Sequence, residues 1–335
     1  MEKFKNMKPV IAIIAGGYSS EYIVSLKSAQ GIGAFMDKEK FDVYIVRITR
    51  EKWIVLLEDQ HEIPIDKNDF GFILDGQRIR FDFAYITIHG TPGENGQLQG
   101  YFDMLDIPYS CCGVLAAALT FDKYACNQYV KNLGVRTASS ILWRRGETRT
   151  PENIVAELGL PLFIKPNDGG SSCGTTKVSL SEQIWPAIET ALKEGNDALI
   201  ESYLQGTEVT CGCYKTKGHI TVLPVTEVVS KNEFFDFDAK YNPNSAEEIT
   251  PARLSDELTL EIQQLTAKIY DRINAKGIIR VDYIISPPGE VWMLEINTTP
   301  GMTATSFIPQ QVRVAGLNMT EVLTEIIEEN MHGKK

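Results

Sequence analysis

The sequence predicts a fold of α/β and α+β parts, with an N-terminal parallel-sheet α/β domain. Three observations lead there. The runs "VIAIIAG", "FDVYIVRI" and "FAYITIHG" are continuously apolar, as strands covered on both faces must be, and a helical segment separates the first two. Beyond residue 118 the pattern changes to β-rich stretches divided by a glycine loop and by isolated helices. The 335 residues also exceed what one small core can organise.

In order along the chain, "PVIAIIAGGYSSE" reads as a buried strand, a glycine turn and a polar helix start, and "SLKSAQGIGAFM" as the helix itself. The apolar stretch Val10 to Ala15 runs straight into Gly16 and Gly17, which marks a first strand and not a signal peptide. No segment approaches the roughly 18 apolar residues of a membrane span. A helix is expected from Thr120, as N-cap, through "FDKYACNQYVKNLG" to a stop at Gly134. Strands follow in "LPLFIKPNDGGSSCGTTKV", "DALIESYL" and "TEVTCGCYKTKGHITVLPVTEV", with a helix around Glu182 to Lys193. Ser230 to Thr250 has no sustained period and reads as a lid. Leu258, Ile262, Leu265, Ile269 and Ile273 recur at three- and four-residue steps, an amphipathic packing helix.

Composition excludes some functions. A formal net charge of -11, from 44 acidic and 33 basic residues, argues against nucleic acid or an anionic membrane as partner. Small anionic substrates stay open wherever lysines and arginines converge. The six cysteines (Cys111, Cys112, Cys126, Cys173, Cys211, Cys213) show no paired zinc spacing. Adjacent Cys111 and Cys112 read as buried small residues, which predicts a reducing, cytoplasmic setting.

Chemistry concentrates near the C-terminus. "IIRVDYII" and "EVWMLEIN" are strand-like and joined by "SPPG", a hairpin signal. Alternation puts Arg280 and Asp282 on one face and Glu295 and Asn297 on one face, and counting outward from the turn sets Asp282 opposite Glu295. Two readings remain open: a polar face neutralised by Arg280, or hard oxygen ligands suited to Mg2+. "IKPNDGGSSCG" places Lys165 before Gly169, Gly170, Ser171, Ser172 and Gly174, either a glycine-rich hairpin turn or a backbone cradle for phosphate. No GxxxxGK[ST] occurs, and "AGGYSSE" lacks the GxGxxG of dinucleotide folds. Glu21 begins a helix beside a glycine turn, where a capping or salt-bridged surface glutamate is expected. His89 follows a strand, either satisfied by a loop carbonyl or catalytic.

Together, "GGYSSEYIVSLKS", "HGTPGENGQLQG", the pair Asp122 and Lys123, "IKPNDGGSSCG", "LIESYLQGTEVT", "AKY", "IIRVDYI" and "LEINTTPGMTATS" resemble, in order and spacing, the D-alanine–D-alanine ligases of the ATP-grasp superfamily. The resemblance runs from about Val10 to Ser306. Tyr22 and Ile23 stand where an Arg-Glu pair is common, and Asn95 replaces a frequent Asp. The resemblance implies an ATP-grasp fold in three parts: a substrate-binding domain over 1–118, a central subdomain with the glycine loop over 119–205, and a C-terminal subdomain with metal site and lid over 206–335. It implies ATP and Mg2+ as a pair of ions, with Mn2+ as substitute, held by Asp282, Glu295 and Asn297.

By the same resemblance Lys123, Lys165 and Lys240 attend the phosphates, Glu201 and Leu204 border the adenine, and Glu208 binds ribose. Glu21 receives the first D-alanine's ammonium, with Ser171, Tyr241 and His89 nearby. Arg280 and the backbone of Gly301 hold the oxyanion, and Ser306 joins Arg280 on the second substrate's carboxylate. No residue declares itself as base for the second amine. The implied setting is a cytoplasmic homodimer serving peptidoglycan precursor synthesis. A sibling ligase joining D-alanine to a 2-hydroxy acid is the alternative, and "AKY" favours the dipeptide. A nucleotide-binding regulatory protein without turnover is the second alternative.

Overall fold

The computed structural model describes residues 8–230 and 246–332. The first sheet is built from β1 (Val10–Gly16), which is followed by α1 (Tyr22–Phe35), then β2 (Asp42–Ile48), β3 (Trp53–Leu56) and β4 (Glu62–Pro64). The small hairpin β5 (Gly71–Leu74) and β6 (Gln77–Arg80) precedes β7 (Phe83–Ile86) and α2 (Gln97–Met104). The order is β4-β3-β2-β1-β7, and β1 lies parallel to both β2 and β7. The three apolar runs thus form the parallel centre, with Ile11 to Ala15 fully buried. The antiparallel strands β3 and β4 extend one edge; short and mixed in polarity, they carry no clear sequence signal.

Next come α3 (Val114–Phe121), α4 (Lys123–Lys131), β8 (Ser140–Trp143), α5 (Pro151–Leu158), β9 (Leu162–Pro166), β10 (Thr176–Val178), α6 (Ile184–Glu194) and β11 (Ala198–Ser202). Their sheet is antiparallel, ordered β10-β9-β11-β8. The single helix expected from Thr120 is two helices. Thr120 lies inside α3, where its hydroxyl donates to the carbonyl of Ala116. Asp122 caps α4 by accepting from the Ala125 N–H.

The third sheet holds β12 (Thr207–Thr216), β13 (His219–Val222), β14 (Thr226–Ser230) and β15 (Ala246–Ile249), then, after α7 (Asp256–Arg272), the hairpin β16 (Ile278–Ser286) and β17 (Glu290–Asn297). Its order is β15-β14-β12-β16-β17, with β13 on β12. Within the stretch read as irregular, Ala246–Ile249 is a strand paired to β14. Helix α7 is capped by Ser255 and buries Ile262 and Ile269, as its spacing predicts. Helices α8 (Phe307–Val314) and α9 (Met319–His332) end the chain.

Ile11, Ile13, Ala29 and Ile32 of the first unit share a core with Met302, Ile308, Val312, Leu323 and Ile326. The central sheet has a separate core, from Ile141 to Ile200. Gly31 of α1 lies so close to the Met302 carbonyl that a Cβ would collide with it. All six cysteines are free thiols, and Cys111 and Cys112 are buried. Among the described residues, no helix is long and apolar enough to cross a membrane.

Candidate functional site

The β16–β17 hairpin sets Asp282 opposite Glu295 and Arg280 opposite Asn297, the register counted from its turn. A bulge between Asp282 and Tyr283 then shifts the pairing. Asp282 is 8 % exposed and fully engaged. Its oxygens accept from Arg280 Nε at 2.8 Å and Nη2 at 2.7 Å, from Thr210 Oγ1 at 2.5 Å and from Asn297 Nδ2 at 3.0 Å. Arg280 therefore does neutralise this face, and the pairing holds its guanidinium far into the charged form against the cost of burial. Asn297 gives its amide nitrogen to Asp282, which leaves its carbonyl oxygen for another partner.

Lys123 and Lys165 reach the same region from α4 and β9. Lys165 Nζ pairs with Glu201 Oε2 at 2.6 Å, and Asn127 Nδ2 donates to Glu201 Oε1 at 3.0 Å. Burial opposes the charge on Lys165, but Glu201 and Glu295 outweigh it and raise its pKa. Lys123 donates to the Gly169 carbonyl. Burial lowers its pKa, with Glu295 opposing and Lys165 adding to the shift. A cavity of about 450 Å³ is lined by Lys123, Lys165, Glu201, Leu204, Glu208 and Asp282, and by Arg280 and Glu295.

The glycine loop closes over this cavity and touches Glu21. Ser171 and Ser172 have φ of +50° and +57°, a left-handed conformation that side chains adopt at a cost of about 1–3 kcal/mol each. The Ser171 hydroxyl donates to Glu21 Oε1. Gly170 packs against the Glu21 carboxylate so closely that a Cβ would overlap it. Glu21 is 6 % exposed at the entry to α1.

His89 Nε2 bonds to Ser28 Oγ at 3.1 Å. Burial lowers its pKa, and Glu21 only partly offsets this, so the ring is neutral. Buried and bonded to Ser28, it also lines a cavity of about 930 Å³. That larger cavity is bounded by Glu21, Ser171, Arg280, Asn297, Gly301 and Ser306. The strand β17 ends at Asn297, so Pro300 and Gly301 bring bare backbone to the cavity wall. Ser306 begins α8, and its Oγ accepts from the Thr303 N–H at 3.1 Å. Gly170, Arg280, Glu295 and Phe307 line both cavities, which meet there. Lys240 and Tyr241 lie outside the described residues.

Comparison with known proteins matches two family descriptions to this chain: D-ala D-ala ligase N-terminus over residues 10–112 and D-ala D-ala ligase C-terminus over residues 130–328. The chain belongs to the D-alanine–D-alanine ligase family. A D-alanine–D-alanine ligase of Azobacteroides pseudotrichonymphae is 62% identical over 319 residues, covering 95% of this chain and 98% of the relative. Among solved structures, the VanG D-Ala:D-Ser ligase of Enterococcus faecalis has a TM-score of 0.85 at 31% identity, over 97% of this chain and 100% of that one. The D-alanine–D-alanine ligase of Bacillus anthracis complexed with ATP has a TM-score of 0.77 at 26% identity, over 97% of this chain and 98% of that one. The fold is the ATP-grasp fold of this family.

The family's departures here are mild in structure. Ile23 is exposed, and Asn95 donates to Thr91 Oγ1 at 3.1 Å. Sequence reasoning passed over several residues of the site. Glu94 lies within the quoted block "HGTPGENG" and lines the larger cavity. Its Oε2 accepts from the Gly90 N–H at 2.6 Å, and burial with the nearby charge of Glu21 pushes its pKa up to about 7. Thr210 closes the quoted block "LIESYLQGTEVT" without being singled out, and Asn127 and Glu248 gave no motif, because their partners come from distant segments. The Glu227–Arg253 pair, at 2.7 and 2.9 Å, also borders the smaller cavity.

The donor chemistry fits the magnesium that the resemblance implies. Among the described residues no three His, Cys, Asp or Glu side chains gather as a metal cluster, and the hard oxygens of Asp282, Glu295 and the Asn297 carbonyl are the ones that would hold the ion. Hard oxygens with room for phosphate oxygens and water are what Mg2+ takes.

Proposed function

We propose that this protein joins two D-alanines to D-alanyl-D-alanine at the expense of ATP, releasing ADP and phosphate, as a step of peptidoglycan precursor synthesis. The observation that carries the reading is the meeting of two cavities at Arg280, Glu295 and Gly170. The smaller, with two lysines and carboxylates, suits a nucleotide, and the larger, with Glu21 at one place and Arg280 and Ser306 at another, suits two zwitterions. Residues 1–118 serve as the substrate-binding domain, 119–205 as the central subdomain and 206–335 as the C-terminal subdomain. A homodimer working in the cytoplasm completes the reading; Met104 and Leu115, 78% and 81% exposed, offer apolar surface for that contact.

Glu21, fixed by Ser171, takes the first ammonium and turns its carboxylate toward the shared wall. Lys123 and Lys165 bring positive charge to the phosphates, and in-line transfer of the γ-phosphoryl gives D-alanyl phosphate. Glu208 takes the ribose, while Glu201 borders the adenine and holds Lys165. Asp282, Glu295 and Asn297 would hold Mg2+, which supplies charge neutralisation on the phosphates. The second substrate's ammonium gives up a proton to water, its amine attacks the acyl carbon, the N–H donors of Arg280 left over from Asp282 and the Gly301 N–H stabilise the oxyanion, and phosphate leaves. Lys240 and Tyr241 belong to the lid in this reading. His89, held by Ser28, lines the wall beside Glu21.

The test is product identification by mass after incubation with ATP, Mg2+ and D- or L-alanine. D-alanyl-D-alanine and ADP are expected from the D enantiomer alone, and Asp282→Ala or Glu295→Ala should abolish both while remaining folded. Equal ADP release with L-alanine, or near-parental turnover of both variants in saturating Mg2+, would refute the assignment.

A further inference from the structure

Glu248 projects into the larger cavity with no part in the chemistry set out above. It sits on β15 opposite Val228 of β14, and the next residue on that face, Thr250, bonds to Thr226 at 2.7 Å. Glu248 is half-buried, and its Oε2 accepts from Gln310 Nε2 of α8 at 2.5 Å. The same Gln310 amide donates to the Thr305 carbonyl at 2.7 Å, which ties the carboxylate to the turn that carries Ser306. Burial raises its pKa, while Gln310 and the positive charge of Arg280 act in the other direction. Glu248, Arg280 and Ser306 thus line one cavity with opposite charges.

We propose that Glu248 is a specificity-determining residue that reads the ammonium of the second substrate and so favours an amino acid over a 2-hydroxy acid. The proposal rests on the ligase reading, in which Arg280 and Ser306 take the second carboxylate. An amino acid is a zwitterion, so a cavity bearing both a guanidinium and a carboxylate answers both of its charges. A 2-hydroxy acid brings an anion with no cation, which leaves Glu248 uncompensated and repelled by the incoming carboxylate. The other ionisable groups of the cavity, Glu21, Lys27, His89, Glu94 and Glu295, stay constant when only Glu248 is changed.

The experiment is the ratio of D-alanyl-D-lactate to D-alanyl-D-alanine formed from a mixture of D-alanine and D-lactate, at fixed pH and ATP. Glu248→Gln keeps an acceptor for Gln310 and removes the charge, and the ratio should rise on the order of tenfold, the effect of one partly screened ion pair. The KM for the second D-alanine should rise while kcat changes little. Glu248→Asp, which retains the charge, should stay near the parent. The parent alone gives a further readout, since added salt should raise the D-lactate share by screening the carboxylate. An unchanged ratio in Glu248→Gln, an equal rise in Glu248→Asp, or a salt-independent ratio would each overturn the inference while leaving the ligase reading intact. A parent that forms no D-alanyl-D-alanine would overturn that reading and this inference with it.

Discussion

Replacing Thr210 by Val should loosen Asp282 without disturbing the fold around it. Thr210 is 2 % exposed on β12, directly opposite Asp282 on β16. Its hydroxyl supplies one of four hydrogen bonds to that carboxylate, at 2.5 Å, while Gln311 Nε2 holds its carbonyl at 3.1 Å. Valine has nearly the same shape, so no cavity opens and the backbone bond to Gln311 persists. The loss is one hydrogen bond to a charged group, about 1.5–3 kcal/mol. The low end is expected, because Arg280 and Asn297 keep their three bonds and the adjoining cavity admits water. The assay pairs urea unfolding, where the midpoint should fall at constant m, with ADP release at increasing Mg2+, where more metal should be needed for half-maximal rate. Thr210→Ser should behave as the parent. A Thr210→Val protein with parental midpoint and parental Mg2+ demand would show that the hydroxyl only satisfies itself, and the positioning argument would fail.

Two further outcomes are expected. The Glu94 carboxyl, with its pKa raised from 4.5 to about 7, holds its proton more tightly in the native than in the unfolded chain, so its contribution to stability falls as pH rises through that window. The fall is at most about 3 kcal/mol and smaller to the extent that water reaches the group; Glu94→Gln should flatten it in urea midpoints taken at intervals across the window, and an unaltered slope would discard the assignment. Gly170→Ala should place a methyl against the Glu21 carboxylate and cut kcat/KM for D-alanine by roughly a hundredfold, given the sensitivity of positioned reactants to small displacements. Parental kinetics for that variant would mean that the glycine loop does not abut the first substrate.

Legibility from sequence followed how local the cause was. The hairpin register was readable because "SPPG" fixes where counting starts and alternation does the rest, which brings Asp282 to Glu295. The parallel centre was readable because strands buried on both faces have no polar alternation to confuse. Thr120 misled because its hydroxyl serves a carbonyl one turn back, while the true cap is Asp122. Strand β15 was missed because "AEEI" has neither apolar alternation nor β-branched density, and is held by its ladder with β14. The described residues grouped by family resemblance line two adjoining cavities, while Lys240 and Tyr241 lie outside the described residues. That Thr210 also holds Asp282, or that Asn127 and Lys165 share Glu201, depends on contacts between distant segments that no local pattern records.

The shared core of α1 with the C-terminal helices has a mechanical consequence. Glu21 rides at the head of α1, and Arg280, Gly301 and Ser306 belong to the unit against which α1 is packed through Gly31 and Met302. Those four residues therefore sit on one rigid floor. The central sheet has a core of its own, and polar contacts such as Ser171 to Glu21 and Lys123 to Gly169 join its glycine loop to that floor. In the ligase reading, opening the site would lift the central sheet, which carries the glycine loop and Lys165, as a jaw. On that reading the amino-acid pocket would keep its spacing through the stroke, while the phosphate grip would be made and unmade with each turnover.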